Sequence, residues 1–161
     1  MHPTRTAALV LLAAALVPAA RAGDTLTKAQ VIARGSVICR AAERKVDALP
    51  QIRSEHPFAR NAPAGEPQRA IVFLDGYADA LAGVRRGLGT LAAPPRGRAL
   101  LEGFVADLGP AVAAFRRAHD DAVAGRFAAA ESEAARAFAL FEEASRKTAA
   151  YGFPKGVCQS G

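Results

Sequence analysis

The chain is predicted to be all-α, a four-helix up-down-up-down bundle with a C-terminal tail disulfide-linked to helix 1. Three observations predict it. Apolar residues recur at three- and four-residue steps through four segments that Pro and Gly separate. No stretch alternates with a period of two for long enough to suggest a sheet. The two cysteines, Cys39 and Cys158, fall in the first helical segment and in the last few residues.

The amino terminus reads as a leader. In MHPTRTAALVLLAAALVPAARA, Arg5 supplies a positive start and Ala7 to Val17 an apolar run. Pro18 breaks that run, and Ala20-Arg21-Ala22 places small residues where signal peptidase reads. The run is too short for a membrane-spanning helix. Residues 1–22 are therefore expected to be a Sec-type signal peptide cleaved near Ala22/Gly23, with 23–161 a single domain in the periplasm or outside the cell. No second long apolar run follows, so no membrane span is expected after its removal. The whole chain carries 21 bases against 15 acids. Loss of Arg5 and Arg21 leaves 19 against 15, a charge of +4 on 139 residues.

The four helices follow in order. Thr27 and Gln30 form a capping-box pair at the start of the first. Ile32, Gly35, Cys39, Ala42, Val46 and Leu49 then share one face, and Pro50 ends the run. Residues 50–67, with Pro50, Pro57, Pro63, Pro67 and Gly65, form a long irregular connection of a kind that is often functional. It also carries His56, Phe58, Arg53 and Arg60. The second helix is expected from Pro67, with Leu74, Tyr77, Leu81, Val84, Leu88 and Leu91 as its stripe. Gly76, Gly83, Gly87 and Gly89 suit close helix packing there, or room for a ligand.

After Pro94-Pro95 the third helix runs from about Arg98, with Leu101, Phe104 or Val105, Leu108, Val112, Phe115 and Ala122 inward. Gly109-Pro110 predicts a kink or break, since proline removes a helical hydrogen bond and clashes with the preceding turn. Beyond Gly125 the fourth helix carries Phe127, Ala130, Ala134, Ala137, Phe141, Ala144 and Thr148, widened by Phe138 and Leu140. Gly152 suits a left-handed cap, and Pro154 prevents continuation.

In that topology the end of the fourth helix lies at the pole where the first begins. Cys39 is then roughly 16 Å from that pole, and residues 152–157 reach up to about 20 Å when extended. A Cys39–Cys158 disulfide is thus within reach and suits a secreted compartment. Two free thiols and an intermolecular pair are the alternatives.

The chemistry-bearing groups are sparse. His119-Asp120-Asp121 are the candidate metal ligands, but neither HExxH nor ExxH spacing accompanies them, and a polar helix terminus is the favoured reading. CxxCH is absent, and the one methionine, Met1, departs with the leader, which excludes a His/Met haem pair in the mature chain. The serines lack GxSxG or SxxK contexts, and no glycine-rich phosphate loop precedes a Lys. Asp75 and Asp79 share a helix face and read as a solvated, mixed-charge surface. Arg85-Arg86, Arg96, Arg98 and Arg116-Arg117 could form basic patches without the stacking aromatics of a nucleic-acid binder. No catalytic or cofactor-binding residue is assigned, no cofactor is expected, and nucleic acid is not an expected partner.

Val37-Ile38-Cys39-Arg40-Ala41-Ala42, the turn at Val123-Ala124-Gly125, and Tyr151-Gly152-Phe153 leading to Cys158 resemble a loose group of small exported bacterial helical proteins. These carry one cysteine in the first helix and one in a C-terminal tail. Arg126 departs from the Asp cap more usual there, which blurs the start of helix 4. The resemblance implies a fold and a compartment, and no activity. The sequence thus points to an exported, non-enzymatic helical scaffold that binds a macromolecular partner through the 50–67 loop and its arginine surfaces. The alternative is a small-ligand carrier with a pocket between helices 2 and 3.

Overall fold

A computed structural model describes residues 25–158; the expected leader and its cleavage point lie outside the described residues. Four helices account for the fold: α1 (Lys28–Asp47), α2 (Glu66–Gly89), α3 (Arg98–Val123) and α4 (Phe127–Tyr151). There is no strand among the described residues.

Local chemistry sets the ends. The Thr27 amide donates to Gln30 Oε1 at 2.8 Å, and the Gln30 amide to Thr27 Oγ1 at 3.2 Å, which completes the capping box. At the far end Gly152 adopts φ +106°. Its amide reaches Ala149 O and that of Phe153 reaches Thr148 O, a Schellman closure that only a residue free of a Cβ makes without strain. α2 begins one residue before the expected Pro67, because Glu66 already turns helical after the left-handed Gly65. α4 starts at Phe127 with no side-chain cap. Arg126 turns its guanidinium to Asp121 Oδ1 instead, at 2.6–2.8 Å.

The expected break at Gly109-Pro110 does not occur: α3 passes through Pro110 as one helix. Gly109 offers the proline ring no Cβ to clash with. Pro110 and Ala106 are exposed, so the carbonyl that loses its donor faces water. Leu108 and Ala111, both fully buried, hold the helix on either side.

Neighbouring helices run antiparallel. Along the α1–α2 seam Leu49 lies beside Gly76 and Ile38 beside Gly87. A Cβ at Gly76 would come within 2.3 Å of Leu49 and one at Gly87 within 2.9 Å of Ile38, so these two glycines serve close packing. Between α2 and α3, Tyr77 meets Phe115 at 4.7 Å. Between α3 and α4, Phe115 meets Phe138 edge-on at 4.9 Å, and Lys147 pairs with Asp107. α2 is walled on several sides, and for that reason it buries alanines off its stripe, at Ala78, Ala80 and Ala82. α1 packs along α2 and scarcely on the other helices.

The tail occupies the space that α1 leaves. From Gly152 it turns back along α1, and Phe153 presses against Gly35, where a Cβ would lie 2.7 Å from its ring and 3.1 Å from Leu88. Val157 and Cys158 are buried. Cys158 is bonded to Cys39 across 119 residues, with the two Cα atoms 5.2 Å apart. Cys158 sits at φ +58°, a left-handed conformation costly for a residue with a Cβ, and the Thr148 hydroxyl donates to its carbonyl at 3.3 Å. Tail, α1 and α4 are thus joined at one seam.

Tyr151 closes the lower end of that seam, with Lys28 Nζ 5.5 Å from its ring centroid. Its hydroxyl is buried without a hydrogen-bond partner. Burial pushes its phenol above the usual value. Removing an orphaned buried hydroxyl is neutral or stabilising, by up to about 1 kcal/mol. Tyr151→Phe is therefore expected to melt at or above the parent temperature; a loss of more than about 1 kcal/mol would mean that the hydroxyl is bonded.

Candidate functional site

The candidate site is a groove of about 730 Å³, open to solvent, between residues 51–58, α2 and α4. Ile52, Pro57 and Phe58 form its loop wall, Phe73 and Leu74 its α2 wall, and Ala135 and Phe138 part of its α4 wall. It does not lie between α2 and α3, where the sequence suggested a pocket. There the helices are closed by aromatic packing, and Gly109 faces the Arg85 side chain at 3.6 Å. Phe127, on the apolar stripe of the fourth helix by its spacing, and Phe138, expected to flank and widen that stripe, are substantially exposed. Phe127 stacks on Phe58 with ring centroids 5.2 Å apart, and Phe138 stands at the groove.

The loop wall is fastened from beneath. Pro50, Pro57 and Pro63 remove amides that a regular element would need. The segment runs instead through successive turns, Ala59 N to His56 O, Ala62 N to Ala59 O and Glu66 N to Pro63 O. Glu66 then holds it. Its carboxylate is fully buried, and Oε2 accepts from the amides of Arg53 at 3.0 Å and Ser54 at 3.3 Å. Its Oε1 accepts from Arg69 Nε at 3.0 Å and pairs with Arg69 Nη2. The hydrogen bond from Arg69, with those from the two amides, holds the Glu66 carboxyl below the usual range against the opposing effect of burial.

The sign of the pH effect follows. A carboxyl lowered in the fold contributes stability that is fully present above the ordinary glutamate value of about 4.5 and is lost as pH falls through the lowered one. Glu66→Gln is accordingly expected to speed amide exchange at Arg53 and Ser54 and tryptic cleavage after Arg53 at neutral pH. The parent should lose the same protection, taken relative to the intrinsic exchange rate at each pH, only in acid. Equal exchange in both proteins at neutral pH would refute the latch.

Sequence reading passed over Glu66. The signal was present: an acid in the first turn favours the helix dipole, and Glu66 and Arg69 stand three apart on one face. Its burial was not readable, because the amides it serves lie 12 and 13 residues earlier.

The charged groups lining the groove are Glu55, His56 and Glu131. His56 Nδ1 lies 3.9 Å from Glu131 Oε1, beyond hydrogen-bond reach, and that oxygen is buried without a hydrogen-bond partner. The Ser54 hydroxyl accepts the His56 amide at 3.2 Å.

The other sequence-stressed residues lie elsewhere. His119 Nδ1 is 3.1 Å from Asp120 Oδ1, and Asp121 is engaged by Arg126. Among the described residues no three His, Cys, Asp or Glu side chains are placed to hold a metal ion. Of the arginines singled out by the sequence, Arg116 pairs with Asp79 at 3.6 Å, Arg117 with Glu133 at 3.1 Å, and Arg98 donates to Ala93 O at 3.0 Å, while Arg85, Arg86 and Arg96 are exposed. A smaller cavity of about 200 Å³ adjoins the disulfide and is lined by Glu43, Tyr77 and Phe104. Among the described residues no helix is long and apolar enough to cross a membrane. The chain matches no protein-family model, no curated protein and no solved structure.

Proposed function

We propose that the protein is an exported, non-enzymatic helical carrier that holds a small, largely apolar ligand in the groove between residues 51–58, α2 and α4. The observation that carries this reading is a concave apolar site whose loop wall is latched by a buried carboxylate. A volume of about 730 Å³ falls in the range of small-molecule sites. The latch matters because a wall ordered before binding spares the ligand the cost of ordering it. Export is supported by the leader-like amino terminus and by the disulfide, a bond that persists in oxidising compartments. The likeness to small exported bacterial helical proteins with the same cysteine placement agrees with this compartment.

The test uses the exported protein. Its intact mass under non-reducing conditions is expected to start at Gly23 and to be two hydrogens lighter than the reduced form. A neutral apolar fluorescent probe such as N-phenyl-1-naphthylamine should bind saturably. Ala135→Trp, which adds bulk at an exposed helical position lining the groove, should abolish binding with little change in melting. Binding that never saturates, or that ignores Ala135→Trp, would refute the carrier reading.

A further inference from the structure

We infer that the groove selects an apolar amine, that is, an organic ammonium on a ring or chain that fills the aromatic wall; this rests on the carrier reading above. The protein as a whole is basic, with 21 Lys and Arg against 15 Asp and Glu. Its groove has the opposite character. Glu55 and Glu131 line it, no Lys or Arg does, and His56 is the sole other ionisable group there. Of the arginines near it in sequence, Arg69 is held by Glu66 and Arg136 pairs with Glu133, while Arg53 and Arg60 are exposed and lie outside its lining.

Glu131 gives the charge a definite point. Its Oε1 is buried and lacks a hydrogen-bond partner, and a buried acceptor without a donor is costly. The closest cationic candidate, His56 Nδ1, is too distant to donate, and the imidazole is largely exposed and free to move aside. An ammonium seated between them would supply the missing donor and a charge-assisted bond. Phe58, Phe73 and Phe138 offer ring surface to the ligand's body, and ring faces also attract a cation. A carboxylate or phosphate ligand would meet two like charges and no Lys or Arg.

The decisive comparison holds the apolar body constant. Titration of the mature, oxidised protein with 4-phenylbutylamine, 4-phenylbutanol and 4-phenylbutyrate is followed by NMR. The amine is expected to bind about tenfold more tightly than the alcohol, and the carboxylate most weakly. Glu131→Gln should bring the amine-to-alcohol ratio towards one, while Glu142→Gln, on the exposed side of α4, should leave it unchanged. Equal affinities for amine and alcohol, or tightest binding of the carboxylate, would overturn the charge inference and leave the carrier reading standing. Failure of all three compounds and of the apolar fluorescent probe would refute the carrier reading itself.

Discussion

Replacing both cysteines with alanine, Cys39→Ala with Cys158→Ala, is expected to lower stability by about 4–5 kcal/mol and melting by roughly 15 °C. The bond spans 119 residues, most of the described chain, so its loss returns a large loop-closure entropy to the unfolded state. The folded state gains little in return. Release of Cys158 from φ +58° recovers on the order of 1 kcal/mol of backbone strain. Urea denaturation of the double variant, set beside the oxidised parent, measures the difference. A loss below about 1 kcal/mol would mean that the tail is held by packing alone. Both cysteines must be replaced together, since a single replacement leaves a thiol that can pair between molecules.

Phe153→Ala is expected to cost about 3–5 kcal/mol, the usual loss for a phenylalanine truncated in a well-packed interior. Its ring is buried against Gly35 and Leu88 and lies 5.7 Å from that of Tyr151. α1 has only a glycine at that level and so offers no side chain to fill the gap. The two predictions are coupled. If the tail docks as a unit, removing the disulfide already loosens Phe153, and the combined loss falls short of the sum. A triple variant tests this. Additivity to within about 0.5 kcal/mol would show that ring and disulfide act independently.

Such a seam explains how a long first helix with few partners stays in place. α1 buries Val31, Gly35 and Cys39, a narrow stripe for a helix of 20 residues. Leu26, just before it, adds a further anchor: it is buried and its amide donates to Ala92 O at 2.8 Å. Covalent closure and the Phe153 plug supply on one side what α2 supplies on the other. The opposite flank of the bundle is left to the proline-rich loop. Where that loop bridges α2 and α4, held by Glu66 and by Phe58 on Phe127, it encloses a groove instead of closing the gap.

Much of the frame was legible in the chain. The capping box at Thr27, the left-handed Gly152 before Pro154, and the reach from the end of α4 to Cys39 are short-range matters of backbone hydrogen bonding, φ and chain length. These act over a few residues and carry the same meaning in any surroundings. The break expected at Pro110 is absent because a local rule met a helix packed on both sides, with Gly109 removing the clash. Phe127 and Phe138 were misread because periodicity gives a face and not what covers it.

Sequence alone thus determined four helices and most of their ends and favoured the pairing of Cys39 with Cys158, since each depends on neighbours along the chain or on simple reach. Tertiary structure decided that Glu66 is buried, that Phe138 faces an opening, and that the opening lies beside α4 and not between α2 and α3. Those outcomes depend on which surfaces remain uncovered once all the helices and the tail have packed, a property of the whole assembly that no single segment encodes.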